Sequence, residues 1–204
     1  SAGIIGDNNL HLTGTINNNT SSPTLDLTAD MNDFDIAFAQ EFVKGVFGNL
    51  RGKASGDLKI SGKLNDVDYS GDIAMKDMGL KLNFTGVDYS FEDTVISLSK
   101  GLAILNDIGV KDGRSNSRGS ISGAIQFETL SSMGVNLVMR ADNLMLLNTT
   151  QKDYDLFWGR IYGTGTLYVD GPVSALNIST PEMRALNNSV FTFNSNSTSN
   201  VEEF

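Results

Sequence analysis

The side chains best spaced to do chemistry are a run of carboxylates in the first half of the chain. Asp66, Asp68, Asp72 and Asp77 stand at positions 1, 3, 7 and 12 of a twelve-residue segment, which is the spacing of an EF-hand calcium loop. An EF-hand has a helix on each side of its loop, whereas the residues on both sides here alternate between apolar and polar, as strands do. We therefore interpret the segment as an Asp-rich hairpin turn and predict no metal site.

Other candidate catalytic patterns are incomplete. Ser97 and Lys100 fit a Ser-x-x-Lys nucleophile motif, but its companion motifs are missing. Gly163 and Gly165 lack the third glycine of a dinucleotide fingerprint. With His11 as the only histidine and no cysteine, the sequence excludes thiolate metal sites and cysteine nucleophiles. We expect a protein that is not an enzyme and needs no cofactor.

Length and charge narrow the class further. The chain has 204 residues, enough for a buried core, and its 15 basic and 24 acidic side chains give a net charge of −9. This balance argues against nucleic acid as a partner. The sequence starts at Ser1 without an initiator methionine, and no run approaches the roughly 20 apolar residues of a membrane span. We expect residues 1–204 to be a single β-repeat segment excised from a longer chain.

Alternation with period two is the dominant pattern, and it predicts about a dozen strands. Leu58 and Ile60, for example, alternate with charged and hydroxyl residues. Turn residues such as Gly, Asn and Asp separate these runs. Each predicted strand therefore has one apolar and one polar side.

One stretch has a different period. The apolar residues of 36–50 recur every three or four positions, which predicts an amphipathic helix over about 36–50 with Asp35 as its cap. We expect this helix to lie on the apolar face of the sheet. A helix on a membrane surface is disfavoured because its polar side lacks an excess of basic residues.

The architecture follows from what can cover the apolar side. A helix of about 15 residues spans about 22 Å, whereas a dozen strands stacked at about 4.8 Å span about 58 Å. The helix is too short to cover the sheet. Either the sheet closes on itself as a sandwich or barrel, or it forms an open trough whose apolar side is covered by another molecule.

A recurring phrase of glycines around apolar-x-apolar residues occurs at 52–62, 119–125 and 163–172. Together with the passages at 50–62, 88–98 and 141–165, it resembles the carboxy-terminal region of the TamB family, the translocation and assembly module subunit, and its AsmA-like relatives. The resemblance covers residues 25–193. It implies a mostly β fold, an elongated curved sheet forming a U-shaped hydrophobic trough, or β-taco, with one short amphipathic helix.

The resemblance also implies a function. TamB-like proteins are periplasmic bridges, anchored to the inner membrane by a segment absent from this chain. They work with an Omp85-class outer-membrane barrel, here through regions outside the chain. We expect a non-catalytic segment that carries phospholipid acyl chains along a hydrophobic groove between the two membranes, and an Asn/Ser-rich end at 194–204. The expected lining of this lipid groove is Leu58, Ile60, Ile73, Met75, Leu80, Leu82, Phe84, Ile121, Ile125, Phe127, Leu137 and Leu167.

Two alternatives remain. In the first, the chain is an assembly factor in outer-membrane protein biogenesis, which acts with the Omp85-class barrel by pairing an exposed strand edge with a client or barrel strand. In the second, it is a cell-surface β-repeat adhesin that closes its own core.

Overall fold

The computed structural model describes residues 9–18, 22–99, 101–129, 132–173 and 175–194. These residues contain twelve β-strands, a turn of 3-10 helix at Ile36–Ala39 and a short α-helix, α1, at Gln40–Val43. The strands are β1 (Leu10–Asn17), β2 (Thr24–Asp35), β3 (Phe47–Lys63), β4 (Asp66–Leu82), β5 (Val87–Phe91), β6 (Thr94–Ser99), β7 (Leu102–Lys111), β8 (Arg118–Thr129), β9 (Ser132–Thr149), β10 (Phe157–Pro172), β11 (Asn177–Ala185) and β12 (Val190–Phe193).

The described strands form one antiparallel sheet in the order β1-β2-β3-β4-β5-β7-β8-β9-β10-β11. The short strands β5 and β6 both lie between β4 and β7, and β12 pairs with β10 on the same side as β11. Most strands that are neighbours in the sheet are also neighbours in sequence, so the chain runs back and forth across the sheet in order. The predicted mostly β fold is confirmed.

The alternation of residue types becomes two chemically different sides of the sheet. Ile121 lies opposite Met139, which lies opposite Leu167, while Ser120 lies opposite Arg140, which lies opposite Thr166. We call the first side the apolar face. It includes Leu12, Leu27, Met31, Leu58, Ile60, Ile73, Met75, Leu80, Leu82, Val87, Tyr89, Ile96, Leu98, Leu105, Ile108, Val110, Ile121, Ile125, Phe127, Leu137, Met139, Ala141, Leu144, Leu167 and Val169.

The core is made of two clusters on this face. In the first, Val87, Val110 and Leu144 are the most deeply buried, with Tyr89 and Ala141 beside them. The second consists of Ala54, Ile73 and Met75, with partly buried side chains from β2, β3, β4 and β6 around it. Both clusters draw on several rows of the sheet.

The prediction of a helix over 36–50 is wrong in its length. The helical turn begins at Ile36, and the Asp35 carboxylate accepts a hydrogen bond from the Ala37 N–H as the expected cap. Helical structure ends at Val43, and the chain enters β3 at Phe47. Asn49 has a φ of 51°, and the register with β4 shifts at this point, so a β-bulge produced the spacing of three that resembles a helix.

The Asp-rich segment is a strand, and the predicted hairpin turn over 66–77 is wrong in its position. The reversal falls at Leu64 and Asn65, and β4 begins at Asp66. Asp72, on the polar side of β4, accepts a hydrogen bond of 2.6 Å from Ser97 Oγ of β6. Within the described ranges, no group of three or more acidic or histidine side chains is placed to hold a metal ion.

Candidate functional site

The candidate site is the apolar face. All but one of the predicted lining residues are on it, in β3, β4, β8, β9 and β10. Phe84 is the exception, because it lies in the turn after β4, where 54% of its surface is exposed. The strand register therefore groups the remaining candidates on one side of one sheet.

These candidates do not all have the same surroundings. Ile73 and Met75 belong to the second core cluster, and Leu58 packs against it. Leu82, Ile121 and Leu167 pack against the first cluster. The others are partly buried, with neighbours from adjacent strands: Ile60, Leu80, Ile125, Phe127 and Leu137.

One end of the apolar face is closed by a contact that we call the β5–β9 junction, formed by Thr85, Gly86, Tyr89, Met145 and Asn148. The Asn148 N–H donates to the Thr85 carbonyl at 2.7 Å, and the Tyr89 hydroxyl donates to the Met145 carbonyl, also at 2.7 Å. Strands β7 and β8 lie between β5 and β9 in the sheet, so the two would be about 14 Å apart if it were flat. Since Tyr89 projects from the apolar face, the sheet curls towards that face here.

The loop between β7 and β8 supports the junction through a buried carboxylate. The Asp112 side chain has 0% exposure, and it pairs with Arg114, which is 25% exposed, at 2.6 Å. Asp112 Oδ2 also accepts the Met145 N–H at 2.6 Å. The loop thus supplies the hydrogen bond that β9 would otherwise receive from a longer β8.

The electrostatics of the junction favour a charged Asp112 and a neutral Tyr89. Burial raises the pKa of Asp112, but hydrogen bonds from Arg114, Ser117 and the Met145 N–H outweigh it, and the pKa lies below its usual value. Burial, and then the negative charge of Asp112, raise the pKa of Tyr89 above its usual value. The Arg114 guanidinium also lies 4.1 Å from the centre of the Tyr162 ring, a cation–π contact.

Across β8, β9 and β10, farther from the junction, the same face is only partly covered. Ile125 lies between Ala103 and Val135 on neighbouring strands, and Leu137 lies opposite Val169. Ile125, Leu137 and Val169 are all partly buried. This region offers aliphatic contact rather than titratable groups, which suits it to bind an apolar ligand.

An aromatic cluster stands at the end of β10 near the junction. Tyr154 and Phe157 stack with ring centres 5.3 Å apart, Phe84 contacts both rings, and Phe157 also stacks on Phe191. Phe191 is 56% exposed. Phe84 therefore belongs to this exposed cluster rather than to the strand surface predicted from alternation.

Sequence reasoning missed the residues that close the site. Val87, Val110 and Leu144 are the most buried large side chains of the first cluster but were not among the candidates. The only pattern that includes Asp112 is the pair Asp112-Gly113, which predicts a turn. Its burial depends on a partner 33 residues away, Met145, and no local pattern encodes that contact.

In the described part of the chain, no helix is both long and apolar enough to cross a membrane. Neither curated proteins nor solved structures include a match to the sequence. Residues 2–102, about half of the chain, match the family model described as the TamB C-terminal domain. This range contains β1 to β6 and two of the three passages that carried the resemblance. By this match, the chain belongs to the TamB family.

Proposed function

We propose that this chain is a non-catalytic lipid-conducting segment of the periplasm, in which the apolar face forms a groove for phospholipid acyl chains. Membership of the TamB family supports a role in outer-membrane protein assembly or lipid transport and a location in the cell envelope. The observation that carries the proposal is the continuous apolar face, which is closed at the β5–β9 junction, buried in the second core cluster and only partly covered across β8, β9 and β10 farther from the junction.

The energetics of such a groove suit transport. Burying one CH₂ group gains about 0.8 kcal/mol, so one acyl chain of ordinary length gains on the order of 10 kcal/mol on leaving water. Aliphatic side chains recur from strand to strand on the apolar face. An acyl chain that slides from one strand to the next therefore exchanges its contacts for similar ones. Binding is then strong while the net free energy of each step stays small.

Native mass spectrometry of the protein extracted under gentle conditions tests this function. We expect co-purifying phospholipid in the unmodified protein and a several-fold lower occupancy in the Ile125→Glu variant. Ile125 is partly buried on the apolar face of β8, and its charged replacement would lie in the path of the acyl chains. The matched control is Gln126→Glu, which puts the same side chain at the next position, exposed on the polar side.

The outcomes separate a groove from a sealed core. Loss of lipid in Ile125→Glu with a retained fold and a normally loaded Gln126→Glu variant supports the groove. Unfolding of Ile125→Glu places Ile125 in a closed interior, and absence of lipid from the unmodified protein contradicts transport altogether. The proposed partners are phospholipid and, through other parts of the full protein, an Omp85-class barrel.

Strand-edge pairing is a second candidate, favoured by β1. This strand pairs only with β2 among the described residues, and its sequence LHLTGTIN contains no lysine or proline to protect the edge. In the test, proline replaces Leu12 in one variant and Thr13 in another. Because adjacent N–H groups point to opposite sides, one variant blocks the free edge and the other breaks the β1–β2 ladder. Loss of partner capture in the edge variant, with lipid binding retained, favours assembly over transport.

A further inference from the structure

Three places in the sheet repeat one arrangement, in which two residues of one strand face a single Ser or Thr of the next. In β2, Asn32 and Asp33 face Ser55 of β3, between the pairs Met31–Gly56 and Phe34–Ala54. The Asp33 N–H donates to Ser55 Oγ at 2.9 Å, and Asp33 has a φ of 50°. This is a β-bulge whose second residue is left-handed and tied to a hydroxyl.

The second example lies in β7 and β8. Asn106 and Asp107 face Ser122, Asp107 has a φ of 49°, and its N–H donates to Ser122 Oγ at 3.1 Å. The flanking residues Leu105 and Ile108 are three apart, yet both are buried, with 7% and 3% exposure. The extra residue therefore keeps the apolar face in phase on both sides of the bulge.

The third example lies in β9 and β10, beside the β5–β9 junction. Asp142 and Asn143 face Thr164, Asn143 has a φ of 54°, and its N–H donates to Thr164 Oγ1 at 3.0 Å. The flanking Ala141 and Leu144 are again both buried. In all three cases the hydroxyl residue is followed by glycine, which is the pair at the centre of the recurring sequence phrase.

A fourth bulge shows what the hydroxyl contributes. Asp77 and Met78 of β4 face Gly52, which has no side chain to accept a hydrogen bond. Asp77 nevertheless has a φ of 50°, and its N–H donates instead to Asp93 Oδ1, at 3.1 Å. In all four bulges the N–H of the left-handed residue donates to a side-chain acceptor. The acceptor lies on the opposite strand in the first three bulges and, for Asp77, between β5 and β6 on the other side of β4.

The first two bulges lie on one line across the sheet. Ser55 pairs with Ala74 of β4, and Ala74 pairs with Val95 of β6. Continuing the register of β6 and β7 by two residues brings Val95 opposite Asn106. A bulge bends its strand and increases the local twist, so bulges on one line add up to a bend along the sheet.

We propose that Ser55, Ser122 and Thr164 are positioning residues, each of which holds a left-handed Asp or Asn in a bulge that bends the sheet around the apolar face. The proposal deepens the proposed function and rests on it, because the bends give the groove its shape. The hydroxyls act through the backbone and do not touch the ligand.

The test measures the bend directly. The chain contains no cysteine, so Arg118→Cys and Gln126→Cys give two unique spin-label sites. Both are exposed on β8, four residues to either side of Ser122. Double electron–electron resonance is recorded in this background alone and with Ser122→Ala, Ser122→Thr or Ser120→Ala. Ser120 lies on the same strand and the same side, opposite Gly109 rather than a bulge.

We expect Ser122→Ala to shift and broaden the distance distribution, and Ser122→Thr, which keeps the hydroxyl, to restore it. Ser120→Ala should leave it unchanged. A role in stability alone would lower the melting temperature without this pattern. An unchanged distribution in Ser122→Ala, or an equal change in Ser120→Ala, overturns the proposal.

Deletion of Asp107 provides a second, stronger variant. It removes the extra residue, and Leu105 and Ile108 then become i and i+2 on one face, so the core pattern survives while the bend is lost. We expect a folded protein with a shifted label distance. A folded deletion variant with the original distance contradicts the proposal. Lipid occupancy measured on the same samples is independent: if the unmodified protein carries no lipid, the transport function fails while the label distances still decide the bend.

Discussion

At the scale of single residues, Gly123 is a position where the backbone of the neighbouring strand leaves no room for a side chain. Its φ is 133°, and a Cβ atom there would lie 2.1 Å from the Asn136 carbonyl oxygen of β9. Residues other than glycine are disfavoured at this φ. The atom that a Cβ would collide with belongs to the backbone, so it cannot move aside as the end of a flexible side chain can. The close approach of β8 and β9 therefore requires glycine.

We predict that Gly123→Ala lowers the free energy of unfolding by more than about 2 kcal/mol, through strain and steric displacement of β9. Gly45→Ala is the control, because a Cβ at Gly45 meets nothing within 4 Å. It should change stability by about 0.5 kcal/mol or less. Urea unfolding of both variants measures the difference, and equal effects would mean that β8 and β9 are not in this close register.

Asp112 is the residue whose charge holds the junction together. Its pKa is lowered on folding, so its contribution to stability is present above the usual aspartate value of 3.8 and is lost as the pH falls through the lower, folded value. We predict that Asp112→Asn costs about 2–3 kcal/mol at neutral pH, since Arg114 and the Met145 N–H lose a charged acceptor.

Unfolding measured from pH 7 down to pH 2 checks this prediction. The difference between Asp112→Asn and the unmodified protein should shrink as the pH falls below about 4, because the Asp112 carboxylate then takes up a proton first in the unfolded chain and, at lower pH, in the folded protein as well. Asp57→Asn, at an exposed position in β3, serves as the control. A gap that stays constant across the whole range would show that Asp112 does not act through its charge.

At the scale of elements, period-two alternation placed the strands but did not reveal the bulges. A bulge puts apolar residues three apart, as in Leu105 and Ile108, and the same spacing occurs on one side of a helix. For residues 47–50 this ambiguity produced the wrong prediction of helix. The backbone hydrogen bonds of β3 with β4 decide the outcome, and they depend on residues more than 30 positions away.

The hydroxyl-glycine pairs show that the missing information was partly present in the sequence. The recurring phrase is visible in the sequence as a repeat. The bulge residues that face it lie on the preceding strand, and they have a pattern of their own: a polar residue, then Asp or Asn, then an apolar residue. Asn106-Asp107-Ile108 with Ser122-Gly123 is one such combination. Neither half is specific by itself, so the register had to be known before the two could be joined.

At the scale of the whole molecule, one face of the sheet was predictable, whereas the degree of its closure was not. Alternation assigned eleven candidate side chains to a common face, because side-chain direction in a strand is a local property. Closure depends on the contact of Tyr89 with Met145, which are 56 residues apart. Such contacts form only when the curl of the sheet is already set.

The end of the sheet that is closed at the β5–β9 junction and the strands that are less covered should differ in local stability. This gives a prediction for the molecule as a whole. Amides of β7 and β9 near Val110 and Leu144 should exchange most slowly in hydrogen–deuterium exchange, because they lie under the most buried cluster. Amides of β11, where nearly every side chain is exposed, should exchange fastest. Uniform protection across the sheet would contradict this distinction.

Lipid loading extends the same measurement. If acyl chains cover the partly buried part of the apolar face, they should increase protection in β8 around Ile125 and in β9 around Leu137, which the chain itself covers incompletely. Amides around Leu144 should change little, since its side chain already has 0% exposure. Comparing the protein as extracted with a delipidated sample makes the test. Equal gains at Leu137 and Leu144 would point to global stabilisation rather than a groove, and no gain at Ile125 would mean that the ligand lies elsewhere.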